Sequence, residues 1–171
     1  AYYINTLNSE EYALYQSVEL PLVKVLFDME VQGVCVNEDM LYLLSKRYQE
    51  EKNNLQEKIY ELAGEKFNVN STQQLGRILF EKLQIGKGTK KTKEHKSYKT
   101  TAEELEKYAD ESEIVRLLLR YRRVQKIHST YIEGIKPLIV RGKVHTTYHQ
   151  NLTSTGRLSS SNPNIQNIPI R

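Results

Sequence analysis

Apolar side chains recur at helical spacing along most of the chain and shift to a strand-like spacing only after Pro137. Leu41, Leu44, Tyr48, Leu55, Ile59 and Leu62 follow one another at steps of three, four or seven, which predicts a long helix from about Glu38 to Ala63. Asn37-Glu38-Asp39 caps its start and Gly64 stops it. At 1.5 Å per residue it would be roughly 39 Å long. A single apolar stripe on so long a helix needs a narrow partner, as in an antiparallel helical hairpin. The partner is a second long helix, from near Ser112 to Gly134, with Leu117, Leu118, Tyr121, Val124, Gln125, His128, Tyr131 and Ile132 on its buried side.

Shorter elements fill the rest. Asn8-Ser9-Glu10-Glu11 starts a helix that runs to Gln32 and stops at Gly33, with Pro21 inside it predicting a kink or a break. Gly33 to Val36 is a short extended link. Ser71-Thr72-Gln73-Gln74 and Thr101-Ala102-Glu103-Glu104 both have the form of a capping box, and the first opens a short helix carrying Leu75, Leu79 and Leu83. Between them, residues 86–100 hold six lysines against Glu94 and little to bury, which predicts a solvated, mobile loop. Leu138 to Val140, a turn at Arg141-Gly142-Lys143, and Val144 to Gln150 read as a small β-hairpin. Residues 153–171, rich in Ser, Asn and Pro, are expected to be irregular.

At 171 residues the chain can bury one good core. Hydrophobic residues make up 39%, charged residues 27%, and mean hydropathy is −0.61, which suits a helix-rich globular domain and not a disordered one. No apolar run approaches the ~20 residues that cross a bilayer, so the expectation is a cytoplasmic protein without membrane partners. Cys35 is the single cysteine, which excludes an internal disulfide, and it reads as a small buried residue.

Charge distribution adds more than the net value of +4. From Ile114 to Arg171 there are ten Lys or Arg and one acid, Glu133, giving +9, which leaves −5 for residues 1–113 (15 basic, 20 acidic). No acid occurs between Glu113 and Glu133, so Arg116, Arg120, Arg122, Arg123 and Lys126 are expected to face phosphates without partners in their own helix. The terminal stretch likewise holds Arg157, Asn164, Gln166, Asn167 and Arg171 with no carboxylate. Such a donor set suits the acceptors of a nucleic acid; the alternative for the stretch is a mobile tail, and for the whole chain a helical scaffold or interaction module with a solvated basic face.

The sequence holds no catalytic centre of its own. Gly86-Lys87-Gly88-Thr89 lacks the spacing and the preceding strand of a phosphate-binding loop. His145 and His149 would stand about 13 Å apart along a strand, too far to share an ion. No carboxylate cluster, D-x-D, H-x-x-E-H or G-x-S-x-G pattern occurs.

Thr155-Gly156-Arg157-Leu158-Ser159-Ser160 followed by Pro163-Asn164-Ile165-Gln166-Asn167-Ile168-Pro169-Ile170-Arg171 resembles the segment that opens the palm of family A DNA polymerases, the DNA polymerase I family. Further blocks carry the resemblance from about Leu20 onward: Pro21-Leu22-Val23, Met29-Glu30, Gly33-Val34, Asn68 to Ser71 with Gln74-Leu75, Tyr121-Arg122 with Lys126 and Ser129-Thr130-Tyr131, and Val144-His145-Thr146 with His149-Gln150. Around Ser97 to Thr101 the chain departs from the family's usual wording, a Ser-Thr-Ser type sequence before the tip helix.

The resemblance implies a mainly α fold: a long antiparallel helical hairpin forming a thumb with a small helical tip, then a short β-hairpin and an irregular segment at the start of the palm. Residues 1–19 would be a lead-in and first helix, 20–136 the thumb with its basic tip loop at 86–100, and 137–171 the start of the palm. It implies a nucleotidyltransferase that copies a template from dNTPs in DNA replication and repair, with primer-template duplex DNA as partner, alongside the remaining palm and fingers of the same polypeptide, and a monomer. The DNA-binding set it implies is Arg157, Asn164, Gln166, Asn167, Arg122, Lys126, Ser129, Thr130, His149, Gln150, Lys90 and Lys91. Arg157 is placed by it in the minor groove at the primer-terminal pair. Mg2+ is implied for the parent enzyme only; the palm motifs with the metal-binding aspartates do not occur before Arg171, so the expectation is a fragment with no metal or catalytic residue, inactive alone.

Overall fold

The computed structural model describes residues 3–86 and 98–169. They fold as two compact units, Ala1–Leu41 with Tyr131–Arg171 and Tyr42–Thr130. The fold is mainly α with two small antiparallel strand pairs, as the hydrophobic pattern and the resemblance both imply.

In the Tyr42–Thr130 unit the helical spacing does what it predicts. Helix α3 spans Glu38–Ala63, its first residues lying in the other unit, with Asn37 Oδ1 accepting from the Met40 N–H at 2.9 Å. Its Leu55, Ile59 and Ala63 pack with Leu118, Tyr121 and Val124 of α6 (Glu113–Lys126) and with Leu75, Ile78 and Leu79 in one core. Leu62, expected in the stripe, is 41% exposed, because the 55–59–63 row of four-residue steps leaves it off to one side. A π-helical stretch, Ile127–Glu133, extends α6 close to the predicted end.

The two capping boxes differ from expectation. Before α4 (Thr72–Gly76), Ser71 Oγ accepts from the Gln74 N–H at 3.3 Å, but Gln74 Oε1 turns to the Asn68 N–H at 2.8 Å, so only half of the box forms. Helix α5 (Ala102–Glu106) begins where predicted, yet Thr101 makes no side-chain cap bond. Neither is the foot of the basic loop idle: Tyr98 packs on Phe80 with ring centroids 4.9 Å apart, and Thr100 is buried. Residues 87–97 of that loop lie outside the described residues.

In the other unit Asn8 forms the complete box with Glu11 and starts α1 (Ser9–Leu14). Of the kink or break expected at Pro21, the break does not occur: the chain stays helical from Ser9 to Gln32, and the regular winding is interrupted just before the proline by a π stretch at Tyr15–Glu19 that leads into α2 (Leu20–Gln32). Gly33 ends α2, its N–H bonded to Met29 C=O at 3.0 Å.

The predicted β-hairpin is replaced by non-local pairing. Pro137 turns Lys136–Leu138 into a 3₁₀ turn and removes Leu138 from any strand. Only the Val140–Lys143 bridge remains, around Arg141 and Gly142 at φ 52° and 73°, the two positive values that a type I′ turn requires. Strand β2 (Lys143–Val144) pairs with β1 (Val34–Cys35). This places Val144 in the interior at 2% exposure, while Cys35, read from the sequence as buried, is exposed. Strand β3 (Thr147–His149) pairs with β4 (Ser159–Ser161), so the terminal stretch is not wholly irregular.

Candidate nucleic-acid interface

Helix α6 separates its apolar from its cationic residues, but the cations are less available than the absence of nearby acids suggests. Arg120 donates to Glu51 on α3 from Nε at 2.9 Å and Nη2 at 2.6 Å. Arg116 donates to the carbonyls of Ala109 and Asp110 at 3.0 and 3.2 Å. Arg122 is half-buried and donates to the Thr100 carbonyl, and burial pulls its guanidinium pKa somewhat below the ordinary arginine value while leaving it charged. Arg123 and Lys126 are exposed and have no partner among the described residues. Ser129 and Thr130 follow on the exposed side, with Ser129 Oγ donating back to Gln125 C=O at 2.8 Å. None of these partners lies in α6 itself, but the expectation that all five cations are free for phosphates is corrected: carbonyls and a distant Glu51 engage three of them, and only tertiary contacts could reveal this.

In the other unit the terminal stretch is ordered by buried hydroxyls and an Asx-type turn. Ser160, 4% exposed on β4, accepts at Oγ from the N–H groups of Ile165 at 3.2 Å and Gln166 at 3.3 Å. Asn164 Oδ1 accepts from the N–H groups of Gln166 at 3.1 Å and Asn167 at 3.2 Å, an Asx-type turn. Tyr131 Oη donates to Asn167 C=O at 2.7 Å, and Thr146 Oγ1 lies 2.9 Å from Ser161 C=O and 2.7 Å from Pro163 C=O. The effect is to present the Gln166 and Asn167 side chains to solvent on a fixed turn. Arg157 is also exposed, its backbone carbonyl held by Thr153 Oγ1 at 2.6 Å.

His149 and Gln150 are more inward. His149 Nε2 lies 2.7 Å from Ser161 Oγ, and Gln150 Nε2 donates to the backbone carbonyl and the carboxylate of Glu19 at 3.1 and 2.9 Å. Ser160, Tyr131 and Thr146 have no place in the sequence-derived site. Serine and threonine mark turns and helix caps in a sequence, and nothing local shows that these three hydroxyls bond across 5 to 36 residues. Lys90, Lys91 and Arg171 lie outside the described residues.

Among the described residues no three of His, Cys, Asp and Glu converge on a point where a metal ion could bind. The described donor sets therefore do not fit Mg2+. What both units offer is exposed N–H donors and cations, chemistry for holding phosphates and groove-edge acceptors. No described helix is long and apolar enough to cross a membrane.

Residues 38–171 match the family described as DNA polymerase family A. The chain is 48% identical over 166 residues to DNA polymerase I of Lactococcus lactis subsp. lactis (strain IL1403), covering 96% of this chain and 19% of the relative. It is 46% identical over 166 residues to DNA polymerase I of Bacillus subtilis (strain 168), covering 96% of this chain and 18% of that one. The chain thus spans about a fifth of the length of these relatives. Among solved structures, it is similar to the POL domain of Pol1 from M. smegmatis in complex with DNA primer-template and dNTP, with a TM-score of 0.82 and 33% identity over 95% of this chain and 28% of that chain.

Proposed function

Because this chain belongs to DNA polymerase family A, we propose that it grips primer-template duplex DNA, as the thumb and the start of the palm of an enzyme that copies a template from dNTPs. The observation that carries the proposal is the pair of exposed donor sets, Arg123, Lys126 and Thr130 in one unit and Arg157, Gln166 and Asn167 in the other. Lys and Arg neutralise phosphates and supply affinity without regard to sequence. Arg157, Gln166 and Asn167 suit the minor groove, where every Watson–Crick pair offers acceptors at nearly equivalent positions, so that pairing geometry is tested and sequence ignored. A template-copying enzyme needs both.

In this assignment residues 20–136 serve as thumb and 137–171 open the palm. Arg157 meets the primer-terminal pair, Gln166 and Asn167 meet neighbouring sugars or bases, and Asn164, His149 and Gln150 hold that surface in place. The Mg2+ ions and the carboxylates that hold them in template-directed synthesis come from other parts of such an enzyme, so the chain alone binds DNA without extending it. It acts as a monomer in the cytoplasm.

The test is binding of the purified chain to a primer-template duplex across a salt series. A linear fall of log K with log salt, with a slope of about −0.9 for each phosphate neutralised, is expected. Binding that is absent at low salt, or indifferent to salt, defeats the proposal. Stable self-association through the long helices with no DNA binding would favour the helical scaffold instead.

A further inference from the structure

Arg122 sits on the cationic helix but points its donors inward. Its Nη1 donates to the carbonyl of Thr100, a residue only 4% exposed. A buried carbonyl left without a donor is costly, so this bond fixes the backbone at Thr100 to the side of α6.

Two residues earlier, Tyr98 is fixed as well. Its ring lies against Phe80, and a Cβ on Gly76 would stand 3.1 Å from Tyr98 Cβ and 3.2 Å from its ring, tighter than nine in ten real contacts, so a larger residue than glycine would push Tyr98 off this seat by a few tenths of an ångström. Lys99 lies between these two anchors, exposed and with no partner among the described residues. Because Arg122 holds the Thr100 carbonyl, Lys99 is tethered one residue from a contact with α6, the helix that also carries the exposed Arg123 and Lys126.

We propose that Arg122 is a positioning residue: its bond to the Thr100 carbonyl sets Lys99 beside Arg123 and Lys126, so that cations from two chain segments meet one run of phosphates. Arg122 itself contacts none. The inference rests on the reading of the chain as a duplex-gripping element and deepens it in two ways. Lys99 becomes a phosphate contact, and the tie takes the place of the direct backbone contact that resemblance implies for Arg122.

The experiment is a double-mutant cycle on the whole chain, with a primer-template duplex titrated across a salt series. Lys99→Ala, at an exposed position, should reduce the slope of log K against log salt by about 0.9, the value of one phosphate contact. Arg122→Met, which keeps the apolar stem and removes the donors, should give a similar loss, and Lys99→Ala added to it should change the slope no further. Lys126→Ala should remain additive with Arg122→Met, which separates a specific tie from general loosening of the unit; circular dichroism melts confirm that each variant is folded at the assay temperature. Should Arg122→Met not fold, the Lys99→Ala slope still decides. An unchanged slope for Lys99→Ala, or full additivity of Lys99→Ala with Arg122→Met, overturns the inference while leaving the grip intact. Failure of the unaltered chain to bind the duplex defeats the grip itself.

Discussion

Arg120 of α6 holds Glu51 of α3 through two nitrogens, Nε at 2.9 Å and Nη2 at 2.6 Å from the same carboxylate oxygen. The pair spans 69 residues of sequence and joins the two longest helices near solvent, where the Arg side chain is 64% exposed. An arginine so engaged is poorly placed to neutralise a phosphate. Arg120→Ala should therefore lower stability by no more than about 1 kcal/mol, typical of exposed ion pairs, and leave the salt slope of DNA binding nearly unchanged. Lys126→Ala in the same assay should reduce that slope by about 0.9. A loss of slope for Arg120→Ala equal to that for Lys126→Ala would show that the pair opens on DNA.

Asn164 uses its side-chain oxygen within the chain, capping the Gln166 and Asn167 N–H groups. Asn164→Ala should destabilise the chain by about 1 kcal/mol. Asn164→Asp keeps the acceptor and should restore the melting temperature, yet it places a carboxylate in the acid-free stretch and should weaken DNA binding. Thermal melts and binding titrations on the same two variants separate these effects. If Asp fails to rescue stability, the oxygen is not the group that matters.

Arg157 is exposed with no side-chain partner among the described residues. A single charge-assisted hydrogen bond at a primer terminus contributes about 1.5–3 kcal/mol where it is made, whereas affinity is spread over many phosphate contacts. In a family A polymerase whose matching stretch is replaced by this chain, Arg157→Ala should slow single-nucleotide extension by roughly 10- to 100-fold and change duplex affinity by less than about 3-fold. Parallel losses in both would make Arg157 an ordinary phosphate contact.

Glu65 accepts from Lys82 at 2.9 Å and Arg77 at 3.0 Å, and these hydrogen bonds, Lys82 first, hold its carboxyl below the ordinary 4.5. A folded-state value depressed below the unfolded one contributes stability that is present above the unfolded value and is lost as pH falls through the folded one. Glu65→Gln should accordingly melt below the unaltered chain at pH 7, and the gap should close as the solution is acidified below about pH 4. A gap that persists unchanged in acid would show that the fold depends on Glu65 for some reason other than its charge.

Gly86 has φ +65°, and a Cβ there would lie 2.5 Å from the Tyr108 ring, which packs edge-to-face with Phe80, the ring centroids 6.1 Å apart. Gly86→Ala must either strain the backbone or displace Tyr108, and should cost more than about 1 kcal/mol in thermal or denaturant unfolding. Tyr108→Ala removes the clash but not the strain, so adding it to Gly86→Ala should recover only part of the difference between the two backgrounds. Full stability in Gly86→Ala alone would mean that this turn relaxes freely.

Much of the architecture was legible because its signals are local. The spacing of Leu55 and Ile59, the stop at Gly64 and the cap at Asn8 act within one or two helical turns, and a periodic pattern records such interactions directly. The acid-poor character of the terminal third was equally plain, since charge is a property of composition. The motif series from Pro21 to Arg171 likewise identified the family from order and wording alone.

Tertiary structure decided which of those residues remain available. Arg116, Arg120 and Arg122 have the same charge in the sequence as Arg123 and Lys126, but each is engaged by a carbonyl or carboxylate that the fold brings to it, in one case from 69 residues away. Val34 pairs with Val144 in place of a local hairpin because that register buries Val144, and Ser160 organises Gln166 through hydrogen bonds that no periodicity encodes. The sequence by itself determined the helices, the charge asymmetry and the family, since these follow from neighbours along the chain. The fold alone determined which donors face solvent, because a donor's availability depends on whichever acceptor packing places beside it.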